Sequence, residues 1–187
     1  MNIDNLAMAV NVKRWHTANI EPETVGHHSA VVAIMASHLL DSTLGSEPSQ
    51  YGFKLAVLRT ALAHDLGEYG VGDIPSPVKW HTGAQFNSVL EQLEHQAFTD
   101  VGVLAGEEDS TVWACVRLAD YLAGALHAAT QAAKGCQFAF TVIDRYRKLF
   151  EVYGSDPTSR FEKCAAAVFS DIVHWLDVES KGIGRNA

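Results

Sequence analysis

Every long apolar stretch of this chain repeats at helical spacing, no segment alternates over strand length, and Gly- and Pro-rich breakers separate the stretches. This pattern predicts an all-α protein, a single compact helical bundle over residues 1–187. Ile3, Leu6 and Val10 mark a first helix. A second begins after Thr24, whose hydroxyl suits an N-cap, and presents His28, Val31, Val32, Met35 and Leu39 on one face. Gly45-Ser46-Glu47-Pro48 ends it. The third runs from near residue 54 to residue 68, with Leu55, Leu58 and Leu62 as its core-facing stripe. The stretch from Tyr69 on to Pro77 is too rich in Gly and Pro to continue that helix. A fourth helix carries Phe86, Val89, Leu90, Leu93 and Ala97. A fifth, from about Ser110 to Ala133, shows Val112, Val116, Ala119, Ala123 and Leu126. Residues 140–153 and 158–178 repeat the pattern with Ile143, Phe150, Phe161, Val168, Phe169, Ile172 and Trp175.

Composition narrows the function. Hydrophobic residues make up 48% of the chain and charged residues 19%, as in folded globular domains. No apolar run approaches the roughly 18 residues that span a bilayer. The opening Met1-Asn2-Ile3-Asp4-Asn5 carries an acid and lacks the basic-then-apolar order of a signal peptide. Cys115, Cys136 and Cys164 are odd in number and widely spaced, which suggests neither a disulfide framework nor a thiolate zinc site. A soluble, cytoplasmic protein with no membrane association is expected. Net charge is −8 and no Lys/Arg stripe forms, so duplex nucleic acid is not an expected partner. A small phosphorylated ligand is compatible with that charge, because one or two local cations and a metal offset it.

Against this background a few polar residues stand out. His64 and Asp65 lie side by side in Leu62-Ala63-His64-Asp65-Leu66-Gly67-Glu68, where nearly everything around them is apolar or small. Buried polar groups need partners, and adjacent residues on a helix diverge by about 100°. A shared divalent metal would let both turn to one point, and imidazole plus carboxylate suits a transition metal. Asp120 sits in Arg117-Leu118-Ala119-Asp120-Tyr121-Leu122, on an apolar helical stripe. Two readings fit it: a metal ligand, or a buried ion pair with an arginine such as Arg117 or Arg145. A hydrolytic metal needs ligands from several helices and vacant positions for water and substrate. His28, near the start of the second helix, completes such a set. The remaining histidines, His16, His38, His81, His95, His127 and His174, show no ligand spacing and read as surface or satisfied core residues.

The ordered set His28-Ser29, His64-Asp65 and Asp120 resembles the H…HD…D signature of the HD-domain metal-dependent phosphohydrolases. Arg14-Trp15 ahead of it, Glu68 three residues after the pair, and Gly72-Asp73-Ile74-Pro75-Ser76-Pro77-Val78-Lys79 narrow the likeness. Together they resemble the bacterial 5′-deoxynucleotidases and the phage HD-domain deoxyadenosine triphosphohydrolases, over residues 13–128. The resemblance implies an HD-domain bundle in which His28, His64, Asp65 and Asp120 hold one divalent transition metal (Co²⁺, Mn²⁺, Zn²⁺ or similar). Matching the His-Ser pair selects His28 over His27, which is left to cap the helix or touch substrate phosphate. Glu68 becomes the general base or the group that orients the nucleophile. Asp73 acts on the leaving 5′ oxygen or binds the sugar, where a turn-forming Asp is the plain alternative. Arg14 and Lys79 become phosphate donors. Trp15, and Thr17 beside it, border the base or sugar. Glu23 has a counterpart in such enzymes, but no role for it follows from the sequence.

The implied reaction is hydrolysis of a 2′-deoxynucleotide by in-line attack of water on the α-phosphorus, expelling the nucleoside. The short chain looks closer to the phage enzymes, which favours dATP going to deoxyadenosine plus triphosphate. The alternative is a 5′-deoxynucleotidase acting on dNMP. Rivals of other kinds are a non-catalytic nucleotide-binding or signalling HD module, a purely structural helical protein, and a cyclic-nucleotide phosphodiesterase. Members of the family are dimers or larger, and the apolar late helices offer an interface, so a homo-oligomer is expected. If phage-encoded, the protein would work in the bacterial host cytosol.

Overall fold

The computed structural model describes residues 2–15, 19–74, 82–101 and 110–183. Among these, the α-helices are α1 (Ile3–Val10), α2 (Val25–Leu44), α3 (Tyr51–Ala63), α4 (Ala84–Val101), α5 (Ser110–Ala133), α6 (Gln137–Ser155) and α7 (Arg160–Ile183). The expected all-α architecture is what the chain adopts. No helix among the described residues is long and apolar enough to cross a membrane. Thr17 and Lys79 lie outside the described residues.

The centre of the bundle is α5, which packs against α2, α3, α6 and α7. Its buried positions include Val112, Cys115, Val116, Ala119, Leu122, Ala123, Ala125, Ala128 and Ala129, so it is apolar nearly all round. Small side chains let neighbouring helices approach closely. At Gly124 the approach is extreme: an added Cβ would lie 2.2 Å from the hydroxyl of Tyr146 on α6. A second, smaller apolar cluster of Ala9, Val25, Ala63, Leu66 and Val101 joins α1 and the end of α3 to the bundle.

Local chemistry sets the boundaries of α2. Thr24 is extended, and its hydroxyl accepts the His27 N–H at 3.1 Å, as an N-cap should. Gly45 ends the helix with φ +65°, a left-handed conformation that costs Gly little. Just upstream, a two-residue antiparallel ladder, β1 (Lys13–Arg14) with β2 (Glu23–Thr24), pairs Arg14 with Glu23. It is too short to register as alternation in the sequence. Its effect is to clip the Arg14-Trp15 segment to the start of α2.

Two expectations about helices need correction. The third helix does not run on to residue 68: α3 stops at Ala63, and a 3₁₀ helix, Leu66–Gly70, follows. His64 takes the carbonyl of Ala61 with its ring, and Asp65 adopts φ −103°, ψ 1°, outside the helical basin. Nor is the leucine stripe as a whole the core face, although Leu58 packs against the core. Leu55 is 58% exposed and Leu62 52%, whereas Val57, Thr60, Ala61 and Ala63 are buried. Compact residues on that face allow α3 to lie close to α2 and α5. On α4, Leu90 and Ala97 are buried while Phe86, Val89 and Leu93 are exposed, for the same reason of face selection.

Candidate metal centre and nucleotide site

Three separate elements bring the predicted ligands together. His28 comes from the first turn of α2, His64 and Asp65 from the junction of α3 with the 3₁₀ helix, and Asp120 from the middle of α5. One ligand atom from each of His28, His64 and Asp65 falls within a group no wider than 4.8 Å. The His28 and His64 ring centroids are 5.5 Å apart. Nε2 of His28 lies 2.9 Å from Oδ1 of Asp120 and 3.6 Å from Oδ2 of Asp65. The arginine-pair reading of Asp120 therefore gives way: its carboxylate is held by His28, and both Arg117 and Arg145 are exposed.

The donor set fits a divalent cation on an observation independent of motif. Nδ1 of His64 donates to the Ala61 carbonyl at 2.8 Å, which leaves Nε2 as the lone-pair atom. That Nε2 is buried and makes no aligned hydrogen bond, although Oδ2 of Asp65 lies only 3.2 Å away, so two lone-pair atoms face each other unless a proton or a cation stands between them. Such an atom is costly unless something electrophilic faces it. Hard carboxylate oxygens and imidazole nitrogens in one cluster suit Zn²⁺, Mn²⁺ or Co²⁺. The carboxylates crowded here favour positive charge, which a proton on the ring supplies when no cation is bound. Burial opposes the charge on Asp65, but His64 and Arg14 hold its carboxyl well below the usual range. Burial likewise opposes a charge on His64, yet the Asp65 carboxylate outweighs it and raises the imidazole to about 9. His28 is also raised, its burial overcome by Asp120 and Glu23.

Around this cluster sits a second layer of polar groups. Arg14 reaches in from β1, pairs with Asp65, and lies 3.6 Å from Oε1 of Glu68. Burial would favour neutrality, but the surrounding carboxylates keep its guanidinium firmly charged. Glu68 is buried, with 6% exposure, rather than solvated at a helix end. The 3₁₀ turn, rather than a continuing α-helix, carries it toward the cluster. Trp15 has φ +65°, unusual for a bulky residue. Oδ2 of Asp73 accepts its backbone N–H at 2.9 Å, and Oε1 of Glu23 accepts its indole N–H at 3.2 Å. The ring of His127 stacks on it, with centroids 5.7 Å apart and planes at 18°. His27 is turned outward: its ring is 65% exposed, and its Nδ1 lies 3.1 Å from Oε2 of Glu23.

Three residues near the site have roles that the sequence did not assign. His127 is satisfied as expected, its Nε2 donating to the Glu21 carbonyl at 2.9 Å, but it also backs Trp15. Glu23 is a buried carboxylate surrounded by N–H groups. Tyr146 projects its hydroxyl past Gly124, one turn beyond Asp120, and burial together with the Asp120 charge raises its pKa. A glycine on an otherwise Ala- and Leu-rich helix was the available clue to Tyr146.

The fold and the cluster define a metal-dependent phosphohydrolase of the HD type. Solved structures that share the fold include two that cover nearly the whole chain. The PH0347 protein from Pyrococcus horikoshii OT3 is 20% identical, with a TM-score of 0.63 over 90% of this chain and 96% of that one. The cyanophage S-2L HD phosphohydrolase DatZ, solved with dA and one catalytic Zn²⁺ ion, is 15% identical, with a TM-score of 0.60 over 97% and 98%. No curated protein sequence matches the chain. The model of the YfbR-like 5′-deoxynucleotidases matches residues 4–102, and the chain belongs to that family.

Proposed function

We propose that the whole chain, residues 1–187, is one HD domain that hydrolyses 2′-deoxynucleotides at the α-phosphorus, with dATP as its substrate and deoxyadenosine and triphosphate as products. The observation that carries the proposal is the convergence of His28, His64 and Asp65, with Asp120 against His28. These four residues would hold one divalent cation. When bound, it lowers the pKa of water and polarises the phosphoryl group.

The chain's own side chains do the rest. Glu68, buried beside Arg14 and Asp65, takes the proton from the attacking water. The Arg14 fork, with Lys79, binds phosphate oxygens, and His27 would join them only by turning its exposed ring away from Glu23. Trp15, and Thr17 near it, forms the wall for base and sugar. Asp73 fixes the Trp15 backbone and stands ready to protonate the departing 5′ oxygen or hold the sugar. A non-catalytic module has no need of a buried carboxylate such as Glu68 next to the ligand set.

A second reading, a 5′-deoxynucleotidase that takes dNMP, is supported by the family match. Attack at the α-phosphorus is common to both, and only the accepted number of phosphates differs. The deciding assay incubates the purified protein with each dNMP and dNTP in Mn²⁺, Co²⁺ or Zn²⁺ and identifies products by chromatography. Triphosphate from dATP is expected; orthophosphate from dAMP alone would overturn the triphosphate preference. A homo-oligomer is part of the same proposal. Exposed Tyr51, Leu55 and Leu62 on α3, and Val152, Trp175 and Val178 on the last two helices, supply apolar surface for it. Light scattering of the purified chain tests that point.

A further inference from the structure

Glu23 is only 8% exposed, and a carboxylate in such a place requires donors. Its two oxygens have different neighbours. Oε2 points to the exposed ring of His27, at 3.1 Å. Oε1 faces two site residues at once, the indole N–H of Trp15 at 3.2 Å and Nδ1 of His28 at 3.2 Å. The contact with His28 is close but not aligned as a hydrogen bond. An imidazole that ligates a cation through one nitrogen is normally fixed by a partner on the other, commonly a carboxylate or a backbone carbonyl. His64 has the Ala61 carbonyl in that place. For His28, the group in that place is Glu23. Trp15 needs support of its own, because φ +65° on a bulky residue is strained and persists only where the surroundings enforce it. Asp73 fixes its backbone, and Glu23 and His127 fix its ring.

We propose that Glu23 is a positioning residue whose single oxygen Oε1 sets both the imidazole of His28 and the indole of Trp15, so that the cation site and the nucleoside wall are built as one unit. The proposal rests on the reading above, in which His28 ligates the cation and Trp15 lines the nucleoside site. The β1–β2 ladder makes the link possible by placing Arg14 opposite Glu23, so that Trp15 follows directly and α2 begins two residues beyond.

The test measures two affinities on the same proteins: Mn²⁺ by chelator competition, and 2′-deoxyadenosine by calorimetry with Mn²⁺ present. Glu23→Ala is expected to lower Mn²⁺ affinity by about 10–100-fold and deoxyadenosine affinity by about fivefold, the worth of one lost hydrogen bond. Glu23→Gln can present its amide oxygen at the Oε1 position, so it should retain most of the deoxyadenosine affinity and lose less Mn²⁺ affinity than the alanine variant. Trp15→Phe removes the indole donor and part of the ring, and should weaken deoxyadenosine while leaving Mn²⁺ affinity unchanged. Glu23→Gln, being isosteric, keeps the test informative if the alanine variant does not fold. Wild-type values for both ligands in the glutamine and the folded alanine variants would overturn the proposal. So would loss of only one affinity in Glu23→Ala, or a matching loss of Mn²⁺ in Trp15→Phe. A wild-type protein that binds no Mn²⁺ would instead refute the reading of the metal centre, and this inference with it.

Discussion

Replacing Gly124 by alanine probes the tightest helix contact in the bundle, one turn from Asp120. The added Cβ would stand 2.2 Å from the Tyr146 hydroxyl and 3.0 Å from its Cζ. Carbon and oxygen need roughly 3.5 Å, so the ring must retreat by more than about 1 Å into packed surroundings. Overpacking costs about 1–3 kcal/mol, and an approach this close belongs in the upper part of that range, about 2–3 kcal/mol. Alanine regains about 1 kcal/mol of helix propensity over glycine. The net expectation is a loss of about 1–2 kcal/mol, or about 2–8 °C in Tm for a chain of this size. Tyr146→Phe removes the atom in closest conflict, so Gly124→Ala/Tyr146→Phe should recover part of the loss. Urea denaturation of the four proteins in this cycle gives the coupling directly. A Gly124→Ala protein as stable as the wild type, or more stable, would show that the Tyr146 hydroxyl does not occupy the space over α5.

Three other predictions concern the site and the core. Asp120→Ala should lose both metal and turnover, whereas Glu68→Ala should bind metal normally and turn over about 10²–10⁴-fold more slowly; metal analysis with kinetics checks both, and normal turnover in Glu68→Ala refutes its role. Chelator should lower the Tm, since a ligand present at 100 times its Kd contributes about 2.7 kcal/mol to the folded state; a Tm indifferent to chelator would contradict the metal centre. Burial pushes the Cys115 thiol from 9.0 up to about 12, so the folded chain holds that proton more tightly than the unfolded chain does. Its contribution to stability is therefore complete below about pH 9 and falls as pH rises toward 12. Cys115→Ala should flatten the alkaline slope of the stability curve measured by urea unfolding.

Much of this was legible in the sequence, and the reasons differ from residue to residue. Thr24 and Gly45 bound α2 through side-chain capping and a left-handed φ, both local effects that a sequence displays. The α5 stripe was legible because that helix is buried on most sides. The α3 stripe misled because the chain offers two faces. Large Leu55 and Leu62 remain outside, while Val57, Thr60 and Ala61 make the close contacts inside. Periodicity reports a repeat without saying which repeat packs. His28, His64, Asp65 and Asp120 were found through an ordered pattern, and the structure brings them together. Glu23 was singled out without a role, and His127 was read as an ordinary satisfied residue, because their meaning lies in contacts with Trp15, eight and more than a hundred residues away, that no spacing rule encodes.

Crystals of the wild-type protein grown with Zn²⁺, with diffraction data collected at the zinc edge, test the convergence of these helices most directly. The account predicts one anomalous peak about 2 Å from each of Nε2 of His28, Nε2 of His64 and a carboxylate oxygen of Asp65 and Asp120. A map with no peak between those four side chains, or with zinc bound only elsewhere on the molecule, would contradict it.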